Sequence, residues 1–266
     1  MERFEALFGH KPVIAMVHLR ALPGTPLYDG DLEGIVEAAR QDLLALQEAG
    51  VDAVMFGNEN DRPYELQVDP ASTATMAYVI GRLKGEIRVP FGVDVLWDPM
   101  ATMALAAATG ARFAREIFTG LYGSDMGLWQ GRAAEALRYR RRLGRGDLFL
   151  LYNVSAEFAS PLDSRSLVER ARSAVFSSLA DAVLVSGPMT GEGVDLDHLR
   201  AVKAALPQVP VLANTGVRHE TVEEILQVAD GVIVGTALKR EGITWNPVDP
   251  ERARAFMARV RRARGR

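Results

Sequence analysis

The stretch "VLANTGV" (residues 211–217) and the stretch "DGVIVGT" (residues 230–236) are two short apolar runs, and both close with glycine and threonine. A gap of helix length separates them, so they predict successive strands of a parallel sheet. Strands that only fill a core can end in any residues that turn the chain. Two successive strands that close with the same small residues therefore indicate a functional site as well as a fold.

The same alternation continues along the whole chain, in which eight apolar runs of strand length alternate with amphipathic stretches of helix length. Near-continuous apolar strands indicate burial on both faces, as in a parallel sheet covered by helices. Eight such units predict a (β/α)8 TIM barrel, with a doubly wound open sheet as the alternative. The predicted strands are "PVIAMVHL" (12–19), "VDAVMF" (51–56), "VPFGVDVLW" (89–97), "RFAREIF" (112–118), "LFLLYNV" (148–154), "ADAVLVSG" (180–187), "VPVLANTG" (209–216) and "DGVIVGT" (230–236).

The lengths of the connections orient the predicted barrel. The chain passes from helix to strand through connections as short as "AG" before Val51, and from strand to helix through long polar stretches such as "GNENDRPYELQVDP" (57–70) and "TGLYGSDMGLWQG" (119–131). In a TIM barrel the long strand-to-helix loops build the C-terminal face, where active sites lie. Since no linker or low-complexity tract interrupts the pattern, we predict one domain over residues 1–266.

The composition excludes several classes of protein. Of the 266 residues, 48% are hydrophobic and 24% are charged, and the net charge is −3, which is typical of a globular protein and not of one that binds polyanions. The absence of cysteine excludes disulfides, thiolate metal sites and cysteine nucleophiles. The first apolar run is too short to span a bilayer. We therefore expect a cytoplasmic protein with no membrane span and no nucleic-acid partner.

The ends of the last two predicted strands indicate a phosphate-binding site. These strands are neighbours in a closed barrel, and the loops after them present backbone N–H groups and the start of a helix to an anion. Glycine lets the anion approach the main chain, and threonine adds a hydroxyl donor. The alternative is that the glycines serve only tight turns. The predicted phosphate ligands are Thr215, Gly216, Gly235 and Thr236.

Several stretches resemble one known family, the BtpA/SgcQ family, from about residue 12 to residue 256: "VDAVMFGNENDRPY" (51–64), "VPFGVDVLWD" (89–98), "REIFTGLYGSDMGLWQG" (115–131) and "VLANTGV" (211–217). The segment "LLYNVSAEFA" (150–159) is more similar to the SgcQ-like branch. The resemblance implies a phosphate-binding TIM barrel, similar to the ribulose-phosphate-binding barrels. It implies either a role beside carbohydrate uptake or, from the BtpA branch, a role in photosystem I accumulation, and it brings no catalytic residue with it.

Polar residues at the predicted strand ends are the candidates for catalysis. His18 shares a strand face with Ile14 and Met16, which places it inside the barrel. Carboxylates that meet at one rim can shift one another's pKa values or bind a divalent cation, so we predict a possible Mg²⁺ site at Glu59 and Asp98. The alternative for Glu116 is a structural ion pair with Arg115, and Asp94 could lie one layer down in the core. The predicted catalytic residues are His18, Glu59, Asp94, Glu116 and Asn153.

Further polar residues are predicted to bind the substrate, because amide, carboxylate and ammonium groups recognise hydroxyl and phosphate groups. Trp129, in the long loop 119–131, is expected to stack on a sugar or a base, or else to anchor the loop. The apolar residues of this loop, which include Leu121 and Leu128, need cover and predict a homo-oligomer. The additional substrate-binding candidates are Asn58, Asp125, Asn214 and Lys239.

These observations predict an enzyme that acts on a small phosphorylated metabolite, a sugar phosphate rather than a nucleotide. Acid–base chemistry such as isomerisation, epimerisation or aldol-type cleavage fits the candidate residues. No cofactor other than Mg²⁺ is expected. The alternatives are a non-catalytic factor that stabilises or assembles another complex, and a protein that binds or hydrolyses nucleotides. No G-x-x-x-x-G-K-[ST] motif supports the nucleotide alternative.

Overall fold

The computed structural model describes residues 1–187 and 193–265. Within them the strands are β1 (Val13–His18), β2 (Ala53–Gly57), β3 (Phe91–Asp94), β4 (Phe113–Glu116), β5 (Leu121–Ser124), β6 (Gly127–Gln130), β7 (Phe149–Asn153), β8 (Ala159–Pro161), β9 (Ala182–Ser186), β10 (Val211–Asn214) and β11 (Gly231–Val234). Eight of them form a closed barrel in the order β1-β11-β10-β9-β7-β4-β3-β2, and every pair in it is parallel. The predicted TIM barrel is therefore confirmed. Seven of its strands lie within the predicted runs, and β2 extends one residue past its run, to Gly57.

Helices surround this barrel, and the 18-residue helix α2 (Leu32–Ala49) has a capping residue at each end. The Asp31 carboxylate accepts a hydrogen bond from the Gly34 N–H (2.8 Å), and Gly50 ends the helix with φ 85°. The helices are α1 (Glu2–Phe8), α2 (Leu32–Ala49), α3 (Pro70–Leu83), α4 (Pro99–Thr109), α5 (Ala133–Arg142), α6 (Leu167–Ser178), α7 (Leu196–Ala205), α8 (Val222–Val228) and α9 (Pro250–Ala263). Among the described residues, no helix is long and apolar enough to cross a membrane.

The barrel interior is filled by apolar side chains up to the C-terminal ends of the strands. Ile14 and Met16 of β1 belong to this interior cluster, while their neighbours on the strand pack against the helices. Phe113 fills the space beside Gly92, where an added Cβ would lie 2.2 Å from its ring. The short helix α1, which the sequence analysis did not predict, closes the N-terminal end of the barrel with Phe4 and Phe8.

The segment predicted as one long loop after the fourth barrel strand contains a hairpin. Strands β5 and β6 are antiparallel, and β8 pairs with β5 to complete a three-stranded sheet. One face of this sheet is buried through Tyr122 and Trp129. The opposite face exposes Leu121, Leu128 and Leu162. Because strand residues alternate between faces, the apolar residues of this segment serve two different surfaces.

Candidate active site

The inward-facing residues at the C-terminal ends of the strands form a polar layer above the apolar interior. Arg115 of β4 lies at its centre. Its guanidinium donates from Nε to Asp94 Oδ2 (2.7 Å) on β3 and from Nη1 to Asn214 Oδ1 (3.0 Å) on β10. These bonds span the barrel, so they fix the guanidinium in the middle of its mouth. The sequence analysis treated Arg115 only as a structural ion-pair partner.

Glu157, in the loop after β7, accepts the hydrogen bonds on the other side of this network. Its carboxylate accepts hydrogen bonds from Asn153 Nδ2 (3.2 Å) and Asn214 Nδ2 (3.1 Å), and also from the Thr215 hydroxyl. Burial raises the pKa of Glu157, and the charge of Arg115 opposes that shift. Sequence reasoning did not choose Glu157 as a site residue, although its position four residues after a strand-terminal asparagine was the available signal.

His18 and Glu59 form a buried pair on the opposite side of the mouth. His18 Nε2 lies 3.4 Å from Glu59 Oε1, which is 3.8 Å from the Arg115 guanidinium. Burial, followed by the charges of Lys239 and Arg115, holds the pKa of His18 well below its ordinary value. Burial raises the pKa of Glu59 to about 8 although Arg115 opposes it. At neutral pH the imidazole is therefore neutral and the carboxyl group carries a proton.

Two atoms of this pair lack partners. His18 Nδ1 and Glu59 Oε2 are buried and form no hydrogen bond with any residue in the described part of the chain. Buried polar atoms are satisfied in most proteins, and exceptions are concentrated at sites that bind a ligand or perform chemistry. The pair therefore has hydrogen-bonding capacity left for a molecule that enters the mouth.

Glu116 and Asp94 form a second carboxyl pair, which lies deeper. Glu116 Oε2 accepts a hydrogen bond from the Ile117 N–H (2.8 Å). Burial and the neighbouring Asp94 carboxylate raise the pKa of Glu116 well above its ordinary value. Burial also raises the pKa of Asp94, but the charge and the hydrogen bonds of Arg115 oppose that shift. We therefore assign the charge to Asp94, which Arg115 neutralises, and the proton to Glu116. Both residues, with Asn153, line a small adjoining cavity, which shares Arg115 and Glu157 with the main one. These three predicted catalytic residues therefore do not line the main cavity with His18 and Glu59.

The main cavity opens above the polar layer and has a volume of about 350 Å³. Its polar lining includes His18, Glu59, Arg115 and Glu157. Residues 214–220 and 233–237, with Arg252, line the side that belongs to β10 and β11. The remaining lining is largely apolar and includes Tyr64, Leu96, Trp97 and Phe158.

The side of the cavity after β10 and β11 presents donors to an anion. Thr215 (φ 54°) and Gly216 (φ 75°) are both left-handed, and the N–H groups of Gly216 and Val217 donate to no acceptor among the described residues. Thr236 begins a short 3-10 helix, Thr236–Leu238, whose first N–H groups have no acceptor within the helix. The guanidinium groups of Arg218 and Arg252 line the same side. Arg252 Nε donates to the Ala237 carbonyl oxygen (3.3 Å), and neither arginine forms an ion pair with a carboxylate in residues 1–187 or 193–265.

The two threonine hydroxyls on this side are already engaged by the protein. The Thr215 hydroxyl donates to Glu157, and the Thr236 hydroxyl lies 2.8 Å from that of Thr244. The Thr215 hydroxyl therefore has no proton left for an anion in this arrangement, whereas the Thr236 hydroxyl can either donate to Thr244 or accept from it. Backbone N–H groups and arginines are further groups that can bind an anion here.

Gly235 has a structural reason in addition to the expected one. A Cβ added at Gly235 would lie 2.8 Å from Cε1 and 3.0 Å from Nε2 of His18. A larger residue would therefore displace the imidazole. The glycine allows His18 to lie against the end of β11, and this requirement is independent of any anion.

Three predicted substrate-binding residues lie outside the main cavity. Asn58 is buried, and its side chain bonds to Asp61 and to the Leu96 N–H. Asp125 is exposed in the turn between β5 and β6. The ammonium group of Lys239 is buried 2.6 Å from the Asp42 carboxylate of α2, where it joins the barrel to a helix.

The predicted Mg²⁺ ligands do not fit such a site. Asp98 is the N-cap of α4, and its carboxylate accepts hydrogen bonds from the N–H groups of Met100, Ala101 and Val68. Glu59 faces the cationic Arg115 instead. Within residues 1–187 and 193–265, no group of three or more histidine, aspartate or glutamate side chains is arranged to hold a metal ion.

The chain is similar along most of its length to proteins of one known family. The sequence profile of the BtpA family matches residues 9–262. The sgc region protein SgcQ of Escherichia coli (strain K12) is 47% identical over 98% of this chain and 98% of its own length. The photosystem I biogenesis protein BtpA of Synechocystis sp. is 35% identical over 97% of this chain and 90% of its own length.

Of these two relatives, SgcQ is the more similar one, as the segment 150–159 indicated. Among solved structures, phosphoribosyl anthranilate isomerase from Thermus thermophilus matches with a TM-score of 0.56 and 16% identity, over 94% of this chain and 98% of that chain. This likeness shows a common barrel fold and no more. The match to the family profile and the identity to two curated relatives show that the chain belongs to the BtpA family.

Proposed function

We propose that this protein is an enzyme that acts on a small phosphorylated metabolite, more specifically a sugar phosphate, by acid–base chemistry. One observation carries the proposal. A single cavity contains a buried histidine–carboxyl pair with unpartnered atoms at His18 and Glu59, and on another side it contains unengaged backbone donors and two arginines without carboxylate partners among the described residues. A molecule with a phosphate group at one end and an exchangeable proton at the other would satisfy both sets of groups.

The states of His18 and Glu59 support proton transfer in both directions. The neutral imidazole of His18 can accept a proton from a carbon next to a carbonyl group, and the protonated carboxyl of Glu59 can donate one to an oxygen. Arg115 is held by Asp94 and Asn214, so its charge is fixed where a negative oxygen would develop. This arrangement fits isomerisation or epimerisation, and an aldol-type cleavage uses the same groups.

Phosphate recognition supplies the first test. Inorganic phosphate should raise the melting temperature of the wild type, and Arg252→Met should weaken its affinity about tenfold, since a charge-assisted hydrogen bond is worth about 1.5 to 3 kcal/mol. Arg254→Met is the matched control, because Arg254 is an exposed residue of α9 that does not line the cavity. Equal phosphate affinity in all three proteins would contradict the anion-binding side.

Proton abstraction supplies the second test and requires no knowledge of the product. In D₂O, an isomerase or epimerase exchanges the acidic C–H of its substrate with solvent, so deuterium enters a sugar phosphate and is detected by NMR. We expect exchange with at least one member of a panel of ketose and aldose phosphates, and its loss in His18→Gln. Binding of these compounds without any exchange would contradict the acid–base part of the proposal.

A homo-oligomer is a second proposal, and one observation favours it. The outer face of the β5–β6–β8 sheet exposes Leu128 (73%) and Leu162 (53%), and apolar residues of this kind often lie at protein interfaces. We propose that this face contacts a second copy of the chain. Light scattering at micromolar concentration should then give more than the mass of one chain, and Leu128→Glu should reduce it. A wild type with the mass of one chain would remove this part of the proposal.

A further inference from the structure

The apolar side of the main cavity is not explained by acid–base chemistry or by phosphate binding. Tyr64, Trp97 and Phe158 line it, and Tyr64 links the other two rings, with ring centroids 5.8 Å from Trp97 and 6.4 Å from Phe158. Phe158 remains 41% exposed. Neither a proton transfer nor an anion requires aromatic rings beside it, so this wall must serve another part of the ligand.

Trp97 is held by two other aromatic rings. Its backbone has φ 71°, a left-handed value that is uncommon for a bulky residue and that Phe158 (φ 57°) shares. Its indole ring meets Trp129 edge to face at 4.8 Å and Tyr64 at 5.8 Å. Trp129 was expected to stack on the ligand, but it is buried outside the cavity and supports Trp97 instead. Backbone strain of this kind persists only where the surrounding structure holds it.

The indole N–H of Trp97 has no acceptor. Nε1 is buried and forms no hydrogen bond with any residue of the described chain, while Trp97 as a whole is only 5% exposed. A buried tryptophan N–H normally finds a partner. Because Trp97 lines the cavity, an acceptor on the ligand is the partner that this site lacks.

The cavity is also large for a three-carbon substrate. Its volume of about 350 Å³ corresponds to about a dozen water molecules at roughly 30 Å³ each. Covalently bonded atoms occupy less volume than separate water molecules, so a triose phosphate would leave much of this space to water. A ligand that reaches from the arginines to the aromatic wall fills it better.

We infer that the substrate is a sugar phosphate in its closed-ring form, whose ring stacks on Tyr64 and Phe158 and accepts a hydrogen bond from the Trp97 indole N–H. A closed sugar ring offers a flat face of C–H groups to aromatic side chains and oxygen acceptors at its edge, whereas an open-chain polyol exposes hydroxyls in all directions. The inference rests on the proposed function, because the phosphate is taken to lie at Arg218 and Arg252. It adds the ring as the feature that the site selects.

The test compares two compounds that differ only in ring closure. Titration calorimetry is done on the full-length protein with 1,5-anhydroglucitol 6-phosphate, which is permanently cyclic, and with glucitol 6-phosphate, which is permanently open. The manno and galacto counterparts, glyceraldehyde 3-phosphate, a nucleoside monophosphate and inorganic phosphate complete the series. We expect the best cyclic compound to bind at least tenfold tighter than its open counterpart and than the triose phosphate.

Variants assign this preference to the wall. Trp97→Phe keeps the ring and removes the N–H, so the affinity for the cyclic compound should fall about five- to tenfold while the affinity for inorganic phosphate stays unchanged. Trp245→Phe is the matched control, because Trp245 is 45% exposed and does not line the cavity, and its affinity should stay within about twofold. Phe158→Ala is a second variant, at a position that is 41% exposed, and its affinity for the cyclic compound should fall about fivefold. Its melting temperature without ligand checks that it folds like the wild type.

The outcomes separate this inference from the proposed function. If cyclic and open compounds bind equally and Arg252→Met weakens both, the ring inference is overturned and the phosphate proposal stands. If the nucleoside monophosphate binds tightest, the sugar assignment is overturned. If no phosphorylated compound binds and Arg252→Met changes nothing, both are overturned.

Discussion

Glu59 and Glu116 are both buried glutamates near Arg115, and burial raises the pKa of each. They differ in what they can reach. Glu59 lines the main cavity beside His18, whereas Glu116 lies in a small adjoining cavity between Asp94 and the Ile117 N–H. A raised pKa therefore reports burial at both positions, and only access to the cavity distinguishes a group that can exchange a proton with a ligand.

The largest expected effect is on the rate of proton exchange, and it should differ between variants of Glu59 and Glu116. Glu59→Gln should lower the rate of deuterium exchange into a bound sugar phosphate by about 10² to 10⁴, because it removes a general acid–base group. Glu116→Gln should stay within about threefold, since the amide resembles the protonated carboxyl that we assign there. NMR in D₂O measures both rates. Equal losses in the two variants would show that the two carboxyl groups act as one unit.

Among the variants considered, substitution of Arg115 should lower the stability of the fold the most. Arg115→Met should lower the free energy of unfolding by about 3 to 5 kcal/mol, because it leaves the buried Asp94 carboxylate without a partner. Urea denaturation measures the change. The double variant Asp94→Asn/Arg115→Met should recover part of the loss, since it removes the uncompensated charge. No recovery would indicate that Arg115 stabilises the fold by packing alone.

The pH dependence of stability tests whether the pKa of Glu59 is raised. Its pKa is raised from 4.5 to about 8, so the folded protein binds this proton more tightly than the unfolded chain does. The resulting stabilisation is fully present below pH 4.5 and is lost as the pH rises through about 8. Between pH 5 and pH 9 the wild type should therefore lose about 3 to 4 kcal/mol relative to Glu59→Gln.

His18 contributes to the pH dependence of stability in the opposite sense, and the same experiment controls for its contribution. Burial lowers the pKa of His18, so its contribution is lost as the pH falls below 6.5. Wild type and Glu59→Gln share this histidine, so the difference between their unfolding free energies, measured in urea at each pH, isolates Glu59. Parallel curves across this range would contradict a raised pKa at Glu59.

The smallest expected effect separates the imidazole from the anion-binding side. Gly235→Ala places a Cβ against the His18 ring, so it should lower the exchange rate about tenfold by displacing the base, while the affinity for inorganic phosphate stays within about twofold. Calorimetry and NMR measure the two quantities. The reverse result, weaker phosphate binding with unchanged exchange, would return Gly235 to the role that its strand-end position first indicated.

The sequence was a good guide to every strand of the barrel and a poorer guide to single side chains. His18, Glu59 and the turn at Thr215 and Gly216 lie in the cavity as expected. Asp98 does not line the cavity. It precedes Pro99 as the N-cap of α4, and its carboxylate accepts hydrogen bonds from backbone N–H groups of that helix. Lys239 is held by Asp42, which is 197 residues away in the chain, and no local pattern announces that contact.

The alternation of strands and helices, and the face on which each strand residue lies, could be predicted from the sequence alone. Both follow from local periodicity, which is two residues in a strand and about 3.6 in a helix. Which polar side chains at the strand ends contact one another is seen only in the tertiary structure. Closure of the barrel brings Glu59 to His18, Glu157 to Asn214, and Trp97 to the cavity in place of Trp129. These contacts depend on the register of the strands and the path of each loop, which pattern does not encode.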